Sequence, residues 1–174
     1  MDGSTCPWYD SPAGLDITQG DIVFDCPIPV PVSVQSIGVA AGSYAEIDIR
    51  KYDVVVMSQA CDIQHGKVND IILCPLSKLE DIAPPENLRA REELRRGVVI
   101  GRHLLNRTDD FDFHVVEFRY VFSLPKKFLL EFVARADRRL RLLPPYREHL
   151  AQAFARFFMR VGLPLDIPPF VPKR

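Results

Sequence analysis

Hydrophobic residues in the first half of the chain form short runs that are typical of β-strands. Apolar runs predict strands at Ile22–Cys26, Val54–Met57 and Val68–Cys74, and Pro75 is expected to end the last of these because it has no N–H to donate to a ladder. The run VVVM carries no polar side chain, which predicts a strand buried on both faces.

In three further segments, two kinds of residue alternate along the chain. Residues 44–49 and 113–122 alternate polar and apolar positions, which predicts half-buried strands, the second being the longest in the chain. The PIPVPV segment at 27–32 is expected to be an edge strand or an extended loop, since proline cannot donate within a central ladder.

Helical periodicity is concentrated later in the chain. It predicts helices over residues 84–96, 125–136 and 146–161, the last with a stripe of phenylalanines. Strands followed by helices indicate an α+β fold, mainly β, with an antiparallel sheet closed into a small barrel and two or three added helices. Residues 1–18 are expected to form an arm that docks through Trp8 and Tyr9, and residues 19–174 a single barrel domain with C-terminal helices.

Composition narrows the class of protein. The chain is 47% hydrophobic and 26% charged, values ordinary for a globular domain. No apolar run approaches the roughly 20 residues that a bilayer requires, and the first residues lack a signal-peptide pattern. We therefore expect a cytoplasmic protein without a membrane partner.

Charge is distributed unevenly along the sequence. Residues 1–88 carry 4 Lys/Arg and 13 Asp/Glu, whereas residues 89–174 carry 18 and 10. This asymmetry fits either a basic face for nucleic acid or two halves whose charges pair within the fold. The candidate nucleic-acid-binding arginines of the second half are Arg138, Arg139 and Arg141.

The densest cluster of reactive side chains follows the predicted buried strand, in the segment SQACDIQH at 58–65. Cys61 and Asp62 lie in a polar turn, where a scaffold can expose a nucleophile, and a thiolate requires a partner such as the distant His103. The candidate catalytic residues are Cys61, Asp62, His103, Ser58 and Gln59. The alternative interpretation is a capped turn between two core strands.

A metal site is a second hypothesis for the same turn. Cys61 and His65 are four residues apart and would share one face of a helical turn, as zinc ligands often do. No second ligand pair occurs at a diagnostic spacing, so we expect no cofactor, with zinc as the alternative.

The segments Gly20-Asp21-Ile22-Val23, VVVMS and IILCPLS resemble the PemK/MazF family over about residues 19–80. The resemblance implies an SH3-like barrel, RNA as substrate, and roles for Arg50 and Ser77 in a ribonuclease site. The family has an Arg-Pro pair where this chain has Tyr52-Asp53, which places an acid where phosphate would approach.

The motifs SQACD and PPYREHLAQAFARFFMRVGLP are similar to an uncharacterised group of prokaryotic proteins, from which no activity transfers. The function expected is a nucleic-acid-associated or protein-binding module in a toxin–antitoxin or phage-defence setting. Helix 146–161 would bind a second copy or another protein through its phenylalanine stripe. The alternative is an enzyme, either a ribonuclease using Arg50 and Ser77 or a thiol or metal site at Cys61.

Overall fold

The computed structural model describes residues 7–32 and 47–159, which contain eight strands and five helices. The strands are β1 (Tyr9–Asp10), β2 (Asp21–Pro31), β3 (Ile47–Val56), β4 (Asp70–Lys78), β5 (Arg102–Leu105), β6 (His114–Glu117), β7 (Phe122–Pro125) and β8 (Arg139–Leu142). The helices are α1 (Ala60–Gln64), α2 (Leu79–Ile82), α3 (Leu88–Arg95), α4 (Lys126–Val133) and α5 (Tyr146–Phe158). The predicted α+β class with a mainly antiparallel sheet is confirmed.

The strands form one sheet in the order β1-β8-β2-β3-β4-β6-β5, and β7 pairs with β4 beside this path. Every pairing in it is antiparallel. Within the described residues no pairing joins the end strands β1 and β5, so closure into a barrel stays a prediction.

β4 changes partners along its length. Its residues 73–75 pair with β3, whereas 70–73 pair with β7 and 76–78 pair with β6. The prediction that Pro75 ends this strand is wrong, because Pro75 pairs with Val54 and the strand continues to Lys78. Pro75 falls between the β7 and β6 partners, where a missing N–H breaks no ladder bond.

The predicted strand over 113–122 is divided. Val116 in β6 pairs with Leu76, and Phe122 in β7 pairs with Leu73, so β6 and β7 follow each other along β4 with residues 118–121 outside the ladder. Phe118 is nevertheless fully buried in the core. The alternation of polar and apolar residues over 113–122 therefore includes residues 118–121, which are not part of a strand.

Among the described residues, β2 has strands on both sides only at its start. Residues 21–23 pair with β8, whereas β3 pairs with β2 as far as Pro31. The predicted edge character of PIPVPV is confirmed for residues 27–31. On β3, Ile47 and Ile49 are 55% and 60% exposed, so the expectation of a half-buried strand is wrong there; residues 44–46 lie outside the described part.

Two hydrophobic clusters cover the two faces of the central strands. Ile22 and Val55 lie in the first cluster with Leu150 of α5, and Val23 and Val54 lie in the second with Leu129 of α4. Because neighbouring residues of β2 and β3 face opposite clusters, both faces are buried, which explains the continuous apolar runs. A third cluster joins α2 and α3 to β6.

Helix α3 begins at Leu88, later than the predicted residue 84, whereas α5 begins at Tyr146 as predicted. α3 starts after Asn87, whose side chain accepts a hydrogen bond from the Ala90 N–H at 3.1 Å, and the left-handed Gly97 (φ 66°) follows its end. The apolar run Val98-Val99-Ile100 is typical of a short strand, but these residues form none. At the other end of the chain, β1 pairs with β8 and Trp8 stacks on Tyr146, so the docking predicted for the two aromatic residues is confirmed.

Candidate functional site

The SQACDIQH segment follows β3: Ser58 and Gln59 connect the strand to helix α1, and His65 caps the end of that helix. Ser58 is buried, and its hydroxyl accepts a hydrogen bond from the Ile72 N–H at 2.9 Å. This bond ties the start of the turn to β4, so Ser58 stabilises the connection between two core strands. Gln59 precedes the helix, with its side-chain oxygen 3.8 Å from the Cys61 Sγ.

Cys61 is exposed on α1. Its Sγ lies 3.7 Å from the Asp62 carboxylate, which also faces the Lys67 Nζ at 3.5 Å. The His65 Nδ1 lies 2.7 Å from the Cys61 carbonyl oxygen, so that ring nitrogen contacts the backbone and not the thiol. The turn therefore brings Cys61 and Asp62 together without forming a thiol–imidazole pair.

His103 lies elsewhere in the fold. It is on β5, the last strand of the sheet order, and lines a cavity with His149 of α5. α1 packs through Ile63 into the second hydrophobic cluster, whereas α5 covers the first. Cys61 and His103 therefore do not meet. Among the described residues no three His, Cys, Asp or Glu side chains form a group able to hold a metal ion.

Arg50 and Ser77 are also held apart. β3 and β4 pair only at residues 54–56 and 73–75 and separate beyond them. Arg50 lies on the part of β3 that pairs only with β2, and its guanidinium forms an exposed ion pair with Asp48 at 2.9 Å. Ser77 pairs instead with Val115 of β6. The structure shows no joint site for these two residues.

The β8 arginines have partners inside the protein. Arg139 is buried and donates to the carbonyl oxygens of Asp16 and Gly14 at 2.6 Å each, and lies 3.5 Å from the fully buried Asp21. Arg141 makes a bidentate pair with Asp21 at 2.5 and 3.0 Å. This pairing raises the pKa of Arg141, chiefly through the hydrogen bond to Asp21.

Arg138 differs from these two in its exposure. Its guanidinium lies over the Phe24 ring at 4.7 Å and donates to the Asp110 carbonyl at 2.5 Å. Taken together, the three arginines fix the N-terminal segment and the 110 loop to β8. Their donors are used mainly within the fold.

A second set of basic residues lines a cavity of about 250 Å³ between α3, β5 and α5, here named the arginine cavity. Arg95 and Arg96 come from the end of α3, Arg102 and His103 from β5, and His149, Gln152 and Arg156 from α5. Residues 149, 152 and 156 share one helical face, since they are three, four and seven positions apart. Three elements thus direct nitrogen donors into one space.

A second cavity of about 490 Å³ adjoins it, here named the aromatic cavity. Its wall includes Trp8, Phe113 and Tyr146, and it shares Arg95, Gly97, His103 and His149 with the arginine cavity. Trp8 and Tyr146 are stacked with ring centroids 3.8 Å apart and an interplanar angle of 11°. Flat aromatic rings therefore lie beside the basic residues.

The arginines of this site differ in their ion pairs. Arg95 pairs with Glu92 at 2.7 Å, and Arg102 pairs with Glu117 at 3.1 Å. Within the described ranges, Arg96 and Arg156 form no ion pair, and both are exposed. The arginine cavity therefore contains two arginines that form no ion pair with a carboxylate of the described residues.

His103 is neutral at physiological pH. Burial, with a smaller contribution from the neighbouring charge of His149, lowers its pKa to about 4. An anion in the cavity would favour the charged imidazole and oppose both effects.

The sequence contained this site only in fragments. His103 is a candidate from the sequence, but His149, which lines the same cavity, is not. The helical spacing of 149, 152 and 156 was a readable signal. The packing of α5 and α3 around β5 was not, because it depends on contacts between distant segments.

α5 itself presents two surfaces. Leu150 is buried, and Phe154 and Phe157 pack against the first cluster, whereas Phe158 and Met159 are 60% and 79% exposed. Residues 160–161 of the predicted helix lie outside the described part. Most of the phenylalanine stripe therefore contributes to the core.

Comparison with known proteins yields no matching family model and no similar curated protein. Among the helices described here, none has the length and apolar character needed to cross a membrane.

Proposed function

We propose that the protein is a binding module for single-stranded nucleic acid, with the joined arginine and aromatic cavities as its site. The observation that carries the proposal is the sharing of His103 and His149 between a basic cavity and an aromatic one. Single-strand binding uses these two components together, since cations follow the phosphates and aromatic rings stack with bases of any sequence.

The ligand would lie across both cavities. A phosphate would occupy the arginine cavity near Arg96 and Arg156, whose donors have no ion-pair partner among the described residues. A base would enter the aromatic cavity beside Trp8 and Tyr146. The volume of about 490 Å³ lies within the roughly 300–1,000 Å³ that small-ligand sites span.

The wider setting follows from the resemblance to the PemK/MazF family. We propose an RNA ligand, an SH3-like barrel closed beyond the observed pairings, and a toxin–antitoxin or defence role in the cytoplasm. The three free cysteines of the described residues support a reducing compartment. A homodimer would use the exposed end of α5 around Phe158.

The enzyme alternatives receive less support from the geometry. Cys61 has no imidazole beside its thiol, and Arg50 and Ser77 lie on diverging strands. A binding site requires only the grouping of charge and aromatic surface that the cavities provide.

The test is a fluorescence-anisotropy titration of the full chain with labelled single-stranded RNA, single-stranded DNA and duplex at several salt concentrations. We expect preference for single strands and a logarithmic affinity that falls linearly with logarithmic salt concentration. The double variant Arg96→Gln, Arg156→Gln should bind less tightly with a salt slope smaller by about 1–2, because each lost phosphate contact removes about one unit.

The matched control is Arg89→Gln, which removes an arginine of α3 that is 90% exposed and lies outside both cavities. It should bind as the wild type does. Equal weakening by the control and the double variant, or absence of single-strand binding at low salt, would overturn the proposal.

A further inference from the structure

The shared histidines suggest a more specific ligand than a continuous strand. Neither imidazole has a hydrogen-bond partner among the described residues, although both line the two cavities. The donors around them come from α3, β5 and α5, so they surround the space instead of following a line. A groove for a passing backbone would instead distribute its cations along a track.

Building on the function proposed above, we propose that the site takes a terminal phosphomonoester, either a mononucleotide or the phosphorylated end of a single strand. His103 would bind the phosphate as an imidazolium, so that binding takes up a proton from solution. The nucleobase would lie beside Trp8.

The charge of the cavity favours a dianion. A phosphomonoester carries about −1.5 to −2 charges at pH 7 and three terminal oxygens, whereas an internal diester carries one charge and two such oxygens. Arg96 and Arg156 add two positive charges without ion-pair partners among the described residues, and two imidazoles line the same cavity. Donors on three sides match three terminal oxygens better than two.

Every element around His103 contributes charge to this balance. α3 brings Arg95, paired with Glu92, and the unpaired Arg96. β5 brings Arg102, paired with Glu117 of β6, and α5 brings His149 and Arg156. Glu148, next to His149, pairs with Arg147 at 2.6 Å. The charge left without an ion-pair partner among these groups is positive, which suits an anionic ligand.

Proton uptake follows from this arrangement. Burial and the charge of His149 lower the pKa of His103 to about 4, so at pH 7.5 the free site carries a neutral imidazole. A bound dianion reverses the electrostatic cost of the charged ring and raises its pKa. At pH 7.5 the ligand is already almost wholly ionised, since its second pKa is about 6, so any proton taken up comes to the protein.

Isothermal titration calorimetry of the full chain at pH 7.5, in two buffers of different ionisation enthalpy, tests the inference. The probes are a nucleoside monophosphate, a 5′-phosphorylated dinucleotide and the same dinucleotide without the phosphate. We expect at least tenfold tighter binding of the phosphorylated dinucleotide, with net proton uptake. A monophosphate as tight as that dinucleotide identifies a free nucleotide as ligand, and a weaker one identifies a strand end.

Two variants make the test specific. His103→Gln should reduce proton uptake, whereas His65→Gln, at an exposed histidine of the α1 turn, should not. Arg156→Gln, on the exposed face of α5, should weaken the phosphorylated probes selectively even where His103→Gln fails to fold.

Two results would decide against the inference. Equal binding of both dinucleotides without proton uptake overturns it but leaves the proposed single-strand binding intact. Failure of every probe and of longer single strands would overturn both.

Discussion

Two groups of arginines in the second half of the chain have opposite surroundings. Arg139 and Arg141 lie on β8 and direct their donors to Asp21 and to backbone carbonyls. Arg96 and Arg156 face a cavity and form no ion pair among the described residues. The same residue type therefore stabilises the fold in one region and leaves charge available for a ligand in the other. The number of partners, and not the number of arginines, separates the two roles.

The largest expected effect concerns the β8 group. Asp21→Asn should lower the free energy of unfolding by about 3–5 kcal/mol, because it leaves buried Arg139 without a carboxylate and Arg141 with only the exposed Asp16. Urea denaturation followed by circular dichroism measures the change. Arg96→Gln is the matched control and should stay within about 0.5 kcal/mol of the wild type. A loss below about 1 kcal/mol for Asp21→Asn would remove the distinction between the two groups.

The next effect concerns the aromatic wall beside the cavity arginines. Trp8→Leu keeps an apolar side chain but removes the ring stacked on Tyr146, so we expect affinity for single strands to fall by about 1–3 kcal/mol. Anisotropy titration at fixed salt gives the value. Tyr120→Leu removes an aromatic residue that is 61% exposed and lies outside both cavities, and should bind normally. Unchanged affinity in a folded Trp8→Leu protein would exclude base stacking there.

A smaller effect should appear in the pH dependence of stability. The pKa of His103 is lowered to about 4 in the fold, against about 6.5 in the unfolded chain, so the unfolded state binds more protons between these values. Stability without ligand should therefore fall as pH decreases from 6.5 to 4. Urea titrations at pH 7 and pH 5 should show a smaller loss for His103→Gln than for the wild type. A pH dependence identical in the two proteins would contradict the assigned burial.

The smallest effect is expected at the turn first selected from the sequence. Cys61→Ser should change stability and single-strand affinity by no more than about 0.5 kcal/mol, because the side chain is exposed and lies outside both cavities. The same assays measure it, with Ser58→Ala as the contrast. Ser58→Ala should destabilise by about 0.5–1.5 kcal/mol, since it removes the buried hydroxyl that accepts from the Ile72 N–H. Loss of single-strand binding in Cys61→Ser would show that the binding site includes this turn.

The central strands were predictable because their chemistry is local. Val54–Val56 are fully buried and form the middle of the sheet, as a continuous apolar run predicts. Pro75 and residues 118–121 were not predictable, because their effect depends on which partner strand lies opposite them. A proline or an interruption is tolerated where β4 changes neighbours, and no local pattern records that position.

The candidate site was less predictable than the fold. Reactive side chains near each other in sequence, such as Cys61, Asp62 and His65, attract attention, yet in the structure they mostly contact their own turn. His103 and His149 are far apart in sequence and meet only because α5 packs beside β5. When tertiary packing brings charged residues together, the sequence indicates it only weakly. Here the indication is the excess of Lys/Arg after residue 88.

The second half of β2, residues 27–31, affects whether molecules of this protein can associate through their sheet edges. Prolines occupy positions 27, 29 and 31, and alternate residues of a strand direct their N–H groups to opposite sides. Because the ladder with β3 is intact, the missing donors belong to the other side, where no strand of the described residues pairs with residues 27–31. On that side, the prolines at every second position have no N–H to donate. A strand of another chain therefore cannot form a regular hydrogen-bonded ladder there. The exposed border of this sheet is thereby protected against fibril growth at the high local concentrations where oligomers form.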